Sequence, residues 1–140
     1  MKASICKGPG LGFTVMDIEI DQPQAREVLV EVKASGLCHT DLTVSEADFG
    51  LPFPAILGHE VAGVVLQVGS QVTDIAVGDH VVACLIQFRG RCVACLGGRT
   101  FECTDPGATL RAPDASPRLS GPDGPILCFD LLRKFYCMNR

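Results

Sequence analysis

The sequence contains no apolar run approaching the roughly 20 residues that a membrane-crossing helix needs, and its start, MKASICKGPG, lacks the apolar stretch of a secretory signal. No membrane partner is therefore expected, and a soluble, cytoplasmic protein is. Basic charge is also scarce: 12 Lys and Arg face 16 Asp and Glu, for a net charge of −4. The basic residues are scattered, so the electrostatic footprint of a nucleic-acid binder is missing and no nucleic-acid partner is expected. Helical patterning is sparse. Only residues 40–48 and a short turn beginning near Val93 suit a helix, and neither carries an apolar stripe. The one glycine cluster, Gly8-Pro9-Gly10-Leu11-Gly12, is a poor phosphate loop, because its third glycine falls one residue early and an alternating strand pattern comes after it. It reads as a turn.

What is present is a chain of 140 residues, 47% of them hydrophobic, with 8 Cys, 15 Gly and 9 Pro. A chain this long buries about two-thirds of its unfolded surface and builds a core without disulfides, while two full domains would be a tight fit. Apolar and polar positions alternate over residues 14–20, with Met16, Ile18 and Ile20 on one face, and over 27–33, with Val28, Val30 and Val32. Residues 60–68 give a third strand, with Val64, Leu66 and Val68 sharing a face. A continuous apolar run at 80–86, preceded by the Gly78-Asp79 turn, gives a fourth. Strands joined by Gly and Pro turns predict a mainly β barrel or sandwich.

From Asp105 onward the character changes. Pro106, Pro113, Pro117, Pro122 and Pro125 fall within about twenty residues, a loop or linker pattern. The last fifteen residues, ILCFDLLRKFYCMNR, are apolar with a basic end and suit one short helix. Residues 105–140 carry five basic and four acidic side chains, which leaves a net charge of −5 on residues 1–104.

With no export signal, eight cysteines read as thiols or metal ligands rather than as a disulfide framework. Cys6, Cys84, Cys128 and Cys137 follow no spacing rule and read as buried or incidental thiols. Two other groups carry chemistry. Gly36-Leu37-Cys38-His39-Thr40-Asp41 ends one strand, and Gly58-His59-Glu60 begins another about twenty residues later. A thiolate and an imidazole brought together from two strand ends suit Zn²⁺, although standing alone they read better as a buried thiol and a satisfied histidine. The second group is Cys92-Val93-Ala94-Cys95 with Cys103 eight residues further on. C-x-x-C clamps a metal from a tight turn, but three sulfurs leave a tetrahedral zinc one ligand short. A thioredoxin-type redox pair would need a βαβ setting, which the pattern lacks.

The stretches GLCHTDLTV (36–44), FPAILGHEVAGVVLQVGSQVTDIAVGDHVV (53–82) and GRCVACLGGRTFEC (90–103) together resemble the zinc-containing alcohol dehydrogenases of the medium-chain dehydrogenase/reductase group. The resemblance covers residues 1 to about 110. It implies a GroES-like β-barrel as catalytic domain, normally followed by a Rossmann domain that holds NAD(P). It further implies Cys38 and His59 as catalytic zinc ligands, with Glu60 an acidic neighbour that approaches the metal during ligand exchange. Asp41 would hydrogen-bond the zinc histidine, Thr40 would relay the substrate proton, and His39 would contact the cofactor pyrophosphate. The substrate would be a small alcohol or aldehyde.

The chain departs from that family in two places. The structural zinc lobe of the family uses C-x₂-C-x₂-C-x₇-C, and Cys92, Cys95 and Cys103 match its last three positions while the first falls on Arg89. Arginine stays protonated and offers no lone pair. Weak or absent binding is expected there, unless water or a side chain such as Cys84 completes the lobe. In addition, residues 111–140 match neither the segment bearing the remaining catalytic cysteine nor a dinucleotide-binding strand, glycine turn and helix. That tail reads as the product of a truncation or a shifted reading frame, with the Rossmann domain absent. The expectation is a catalytic domain at 1–110 that does not transfer hydride by itself. The alternative is a non-enzymatic zinc-binding or interaction module that associates through open barrel edges.

Overall fold

The computed structural model describes residues 1–83, 86–109, 111–112, 114–128 and 135–138. Strands dominate it and helices are short. The first strand, β1 (Lys2–Cys6), runs antiparallel to β2 (Phe13–Asp17), pairing Lys2 with Asp17 and Cys6 with Phe13. Between them the Gly8–Gly12 cluster is indeed a turn, with Gly10 and Gly12 at φ of +73° and +66°, where glycine alone is unstrained. Residues 14–20 do not form one strand. The chain breaks at Ile18 and continues as β3 (Glu19–Ile20), which pairs with a different neighbour. The expected face survives the break: Ile18 is buried, and Met16 and Ile20 pack beside it.

Two elements form the spine of the second sheet. β4 (Val28–Ser35) and β6 (Val61–Val68) pair antiparallel, Val28 opposite Val68 and Ser35 opposite Val61. The face expected for β6 is displaced. Val30 pairs with Val65 while Leu29 pairs with Gln67, so Leu66 is an extra residue in the ladder. A bulge of this kind shifts the inside-outside alternation by one. Val65 consequently joins Val28 and Val30 in the core, and Val68, three residues on, still packs against them. The strand expected at 80–86 contracts to β7 (His80–Val82), paired with β6, while Cys84 and Leu85 lie outside the described residues.

The loop expected after Asp105 gives way to a hairpin. β8 (Leu119–Gly121) and β9 (Gly124–Cys128) pair antiparallel. β8 pairs with β3, and β9 runs parallel to β5 (Ala55–Ile56), which in turn meets β1. The first sheet is thus ordered β2-β1-β5-β9-β8-β3. Leu119 and Ile126 close its core on Ile5 and Ile18. The single helix expected over the last fifteen residues is not formed either: residues 126–128 belong to β9, and β10 (Phe135–Met138) lies parallel to β4. The second sheet is ordered β10-β4-β6-β7.

Charge ties the hairpin segment to the body. Glu27, just before β4, receives Arg111 Nη2 at 2.8 Å and Arg118 Nη2 at 2.6 Å, and all three side chains are nearly excluded from solvent. Arg111 also bonds Asp21 at 3.0 Å. Hydrogen bonds from Ser116 and Arg111 hold the Asp21 carboxyl below the usual carboxylate range.

Candidate metal centre

Cys38 and His59 stand 21 positions apart, and antiparallel pairing brings them together. The last pair of the β4/β6 ladder, Ser35 with Val61, sets the residues just after β4 beside those just before β6. A further bond from Gly36 N–H to the Glu60 carbonyl, 2.8 Å long, extends the ladder by one step. A Cβ on Gly36 would displace the Glu60 carboxylate, so glycine there leaves that side chain its place beside Cys38 and His59. Gly58 holds φ at +111°, a conformation that L side chains rarely adopt, and so sets the path into His59.

Immediately after Gly36-Leu37 the chain enters α1 (His39–Glu46), one residue before the helix expected at 40–48. Cys38 is its N-cap. The Asp41 carboxylate accepts the Cys38 backbone N–H at 3.2 Å, closing a capping box in which a thiol replaces the usual hydroxyl. This cap forms the helix where an apolar stripe is lacking. It also fixes Asp41 so that its other oxygen faces His59 Nδ1 at 3.6 Å.

The resulting cluster joins three donors: the Cys38 sulfur, a His59 ring nitrogen and a Glu60 carboxylate oxygen all lie within 4.8 Å of one another. His59 is buried, and its Nδ1 has no hydrogen-bond partner. A buried imidazole with a carboxylate on one ring nitrogen and a thiol and second carboxylate close by is the donor set that a divalent transition metal takes. The residues fit zinc. Thr40 belongs to the cluster as well, its hydroxyl 3.5 Å from the Cys38 sulfur. His39 does not: it is exposed on α1 and its Nδ1 lies 3.2 Å from the Thr43 hydroxyl. The cluster borders an open cleft of about 520 Å³ between Gly36, His59, Glu60 and Val82.

The second cysteine group also comes together. Cys92 caps α2 (Val93–Leu96), and the sulfurs of Cys92, Cys95 and Cys103 lie within 4.8 Å of one another. Backbone N–H groups of Cys95 and Thr104 directed at the Cys92 sulfur lower its thiol pKa to about 6, whereas burial raises that of Cys95. Arg89 offers this group only its backbone, donating N–H to the Cys103 sulfur at 3.4 Å. Its guanidinium turns instead to Asp105 at 3.3 Å and Thr104 at 3.4 Å. Among the described residues no other His, Cys, Asp or Glu joins the three sulfurs. Among the described residues the lobe therefore lacks the fourth thiolate of a closed zinc site, and Cys84, which the sequence offers for that place, lies outside them.

Sequence reasoning misses the pairing of Glu27 with Arg111 and Arg118, which are 84 and 91 positions away. It carries no local signal. The hairpin at 119–128 is concealed by prolines, Pro122 in its turn and Pro125 opposite Ser120. Among the described residues no helix is long and apolar enough to cross a membrane.

Residues 24–122 match the alcohol dehydrogenase GroES-like domain. The S-(hydroxymethyl)glutathione dehydrogenase of Paracoccus denitrificans is 42% identical over 127 residues, 88% of this chain and 34% of the relative. An alcohol dehydrogenase class-3 of Cereibacter sphaeroides is 43% identical over 131 residues, covering 90% and 35% respectively. Among solved structures, an alcohol dehydrogenase zinc-binding domain protein from Burkholderia ambifaria superposes with a TM-score of 0.77 at 39% identity, covering 90% of this chain and 35% of its own. Benzyl alcohol dehydrogenase from Acinetobacter calcoaceticus gives 0.72 at 36% identity, covering 84% and 33%. The chain spans about one third of the length of the curated relatives it matches. By the family model over residues 24–122, the identity to its relatives and the superposed strand architecture, this chain belongs to the alcohol dehydrogenase family and carries its GroES-like domain.

Proposed function

We propose that this chain is the zinc-binding catalytic domain of an NAD(P)-dependent alcohol dehydrogenase, with Cys38, His59 and Glu60 holding the catalytic metal. The observation that carries this reading is the convergence of those three donors within 4.8 Å of one another, one of them on a buried imidazole. Zinc bound there supplies Lewis acidity, which lowers the pKa of an alcohol hydroxyl so that the alcohol can surrender hydride to a nicotinamide.

The protein's own residues do the rest. Asp41 faces His59 Nδ1 from 3.6 Å, and a carboxylate that closes on that ring nitrogen would orient the imidazole with Nε2 toward a metal. Because the same carboxylate caps α1, ring orientation and helix start are set by one side chain. The Thr40 hydroxyl both accepts and donates, and its exposed place in the first turn of α1 lets it pass a proton outward. His39, exposed one residue earlier, is placed for a cofactor phosphate. The substrate is a small alcohol or aldehyde. A cytoplasmic location is in keeping with the free thiol of Cys38.

The 140 residues by themselves are proposed to bind zinc without turning over alcohol. The relatives are about three times longer, and this sequence holds no strand, glycine turn and helix suited to a dinucleotide. Purified chain assayed for zinc and for NAD(P)-dependent oxidation of a primary alcohol tests both parts. Zinc without turnover is expected. Turnover lost in Cys38→Ala would make the chain a complete enzyme, and a chain without zinc would remove the site assignment.

Two substitutions probe the sites. Asp41→Asn should weaken zinc binding by about 10- to 100-fold, the usual cost of losing a carboxylate behind a ligating histidine. Competition with a chromophoric chelator measures it, and an unchanged affinity would deny Asp41 that role. Arg89→Cys should raise zinc content by one ion per chain by restoring the fourth thiolate of the lobe. No change would mean that the lobe is already filled or cannot be.

One observation favours a second reading, an interaction module without catalysis. β7 is the outer strand of its sheet among the described residues, and it exposes Val82. Self-association seen by sedimentation and abolished by Val82→Lys would support it.

A further inference from the structure

We propose that the Cys92–Cys95–Cys103 lobe is a thiol–disulfide site, closed by a Cys92–Cys95 disulfide where a four-cysteine lobe would be closed by zinc. The two sulfurs are already in contact at 3.3 Å. Cys92 caps α2 and Cys95 sits one turn into it, so the closing movement stays within four residues and leaves the sheets untouched. The Cys95 backbone N–H points at the Cys92 sulfur from 3.5 Å, which fixes one partner of the pair. Cys95 is only half-buried, so a small reagent can reach the pair.

What leaves the pair free to react is Arg89. Its guanidinium is engaged by Asp105 and Thr104, and no fourth donor joins the sulfurs among the described residues. With a closed four-thiolate zinc the sulfur lone pairs are committed to the metal, whereas three sulfurs leave a coordination position open to a competing thiol. Cys103 belongs to the same cluster but lies outside the four-residue turn that joins the other two, so its pairing would close a longer loop.

The oxidant is a low-molecular-weight disulfide. One thiolate of the pair attacks a sulfur of the reagent, forming a mixed disulfide and expelling one thiolate. The second protein thiolate then attacks the protein sulfur of the mixed disulfide and expels the other. The pair loses two protons and two electrons, and the reagent leaves as two thiols. This inference concerns only the lobe. Its failure would leave the reading of the Cys38–His59 cluster untouched.

The test uses the whole chain, reduced, equilibrated with oxidised glutathione with and without Zn²⁺, then alkylated under denaturing conditions and digested with trypsin. Cleavage after Arg91 and Arg99 releases Cys92 and Cys95 together on one peptide, while Cys103 falls on the next, ending at Arg111. The expected product is the first peptide, unalkylated and lighter by two hydrogen atoms, formed with or without zinc. Cys103→Ser should still form it. In Arg89→Cys, zinc should slow its formation by about tenfold or more, since a completed site protects its thiolates. Zinc protecting the unaltered chain equally well would overturn the proposal, because the lobe would then be a competent metal site. Accumulation of a glutathione adduct, or a link between the two peptides, would overturn it as well.

Discussion

Replacing Glu27 by alanine should destabilise the chain by about 3–5 kcal/mol, the usual consequence of removing one partner from a buried ion pair. Two guanidinium groups converge on this one carboxylate, and of the two Arg111 also pairs with Asp21. Arg111 and Arg118 reach it at 2.8 and 2.6 Å with side chains 8% and 13% exposed. Against a total stability of roughly 5–15 kcal/mol for a domain of this kind, such a loss leaves a substantial unfolded population. Urea denaturation followed by circular dichroism measures the difference, and a loss below about 1 kcal/mol would show that the cluster is incidental. Glu27→Met combined with Arg111→Met and Arg118→Met should recover much of the loss, because the penalty lies in uncompensated charge rather than in missing contact. The prediction decides how residues 111–128 relate to the body. If Glu27 anchors them, β8 and β9 should detach in Glu27→Ala before β4 and β6 do, and amide exchange should quicken there first.

The second large effect concerns metal. His59→Ala and Cys38→Ser should each lower zinc affinity by more than the roughly 100-fold expected for a supporting residue such as Asp41. Each removes one of three donors lying within 4.8 Å of one another. His59→Ala also empties a buried position at the entrance to β6 and should lower stability modestly. Cys38→Ser keeps a capping side chain on α1, so its effect should be confined to the metal. The two variants therefore separate ligation from folding. Zinc affinity unchanged in both would place the metal elsewhere.

The sites are legible in the sequence to a different degree from the fold. The Cys92–Cys95–Cys103 lobe stands out in one dimension by its C-x-x-C spacing, whereas Cys38, His59 and Glu60 are singled out by the family resemblance, and the structure gathers each group. The register that joins Cys38 to His59 comes from two long strands whose apolar alternation is plain. Their detailed facing is not, because one extra residue at Leu66 reverses the alternation, and a bulge leaves no mark in composition. β1 escapes notice for want of pattern, as Ile5 and Cys6 are buried in a strand of only five residues. The β8–β9 hairpin escapes it for a stronger reason. Strands of three and five residues rich in Gly and Pro have no propensity of their own and exist through pairing with β3 and β5 and through burial of Leu119 and Ile126. The ion cluster at Glu27 is likewise a product of tertiary structure, joining residues far apart in the chain. Chemistry fixed by single residues is readable, and packing fixed by distant partners is not.

The most direct test of the proposed metal centre is zinc analysis with X-ray absorption on the chain carrying Cys92→Ser, Cys95→Ser and Cys103→Ser. With the lobe removed, one zinc per chain should remain, and its coordination shell should hold a single sulfur at about 2.3 Å, the rest being nitrogen and oxygen. Loss of all zinc, or a shell dominated by sulfur, would contradict the assignment of Cys38, His59 and Glu60.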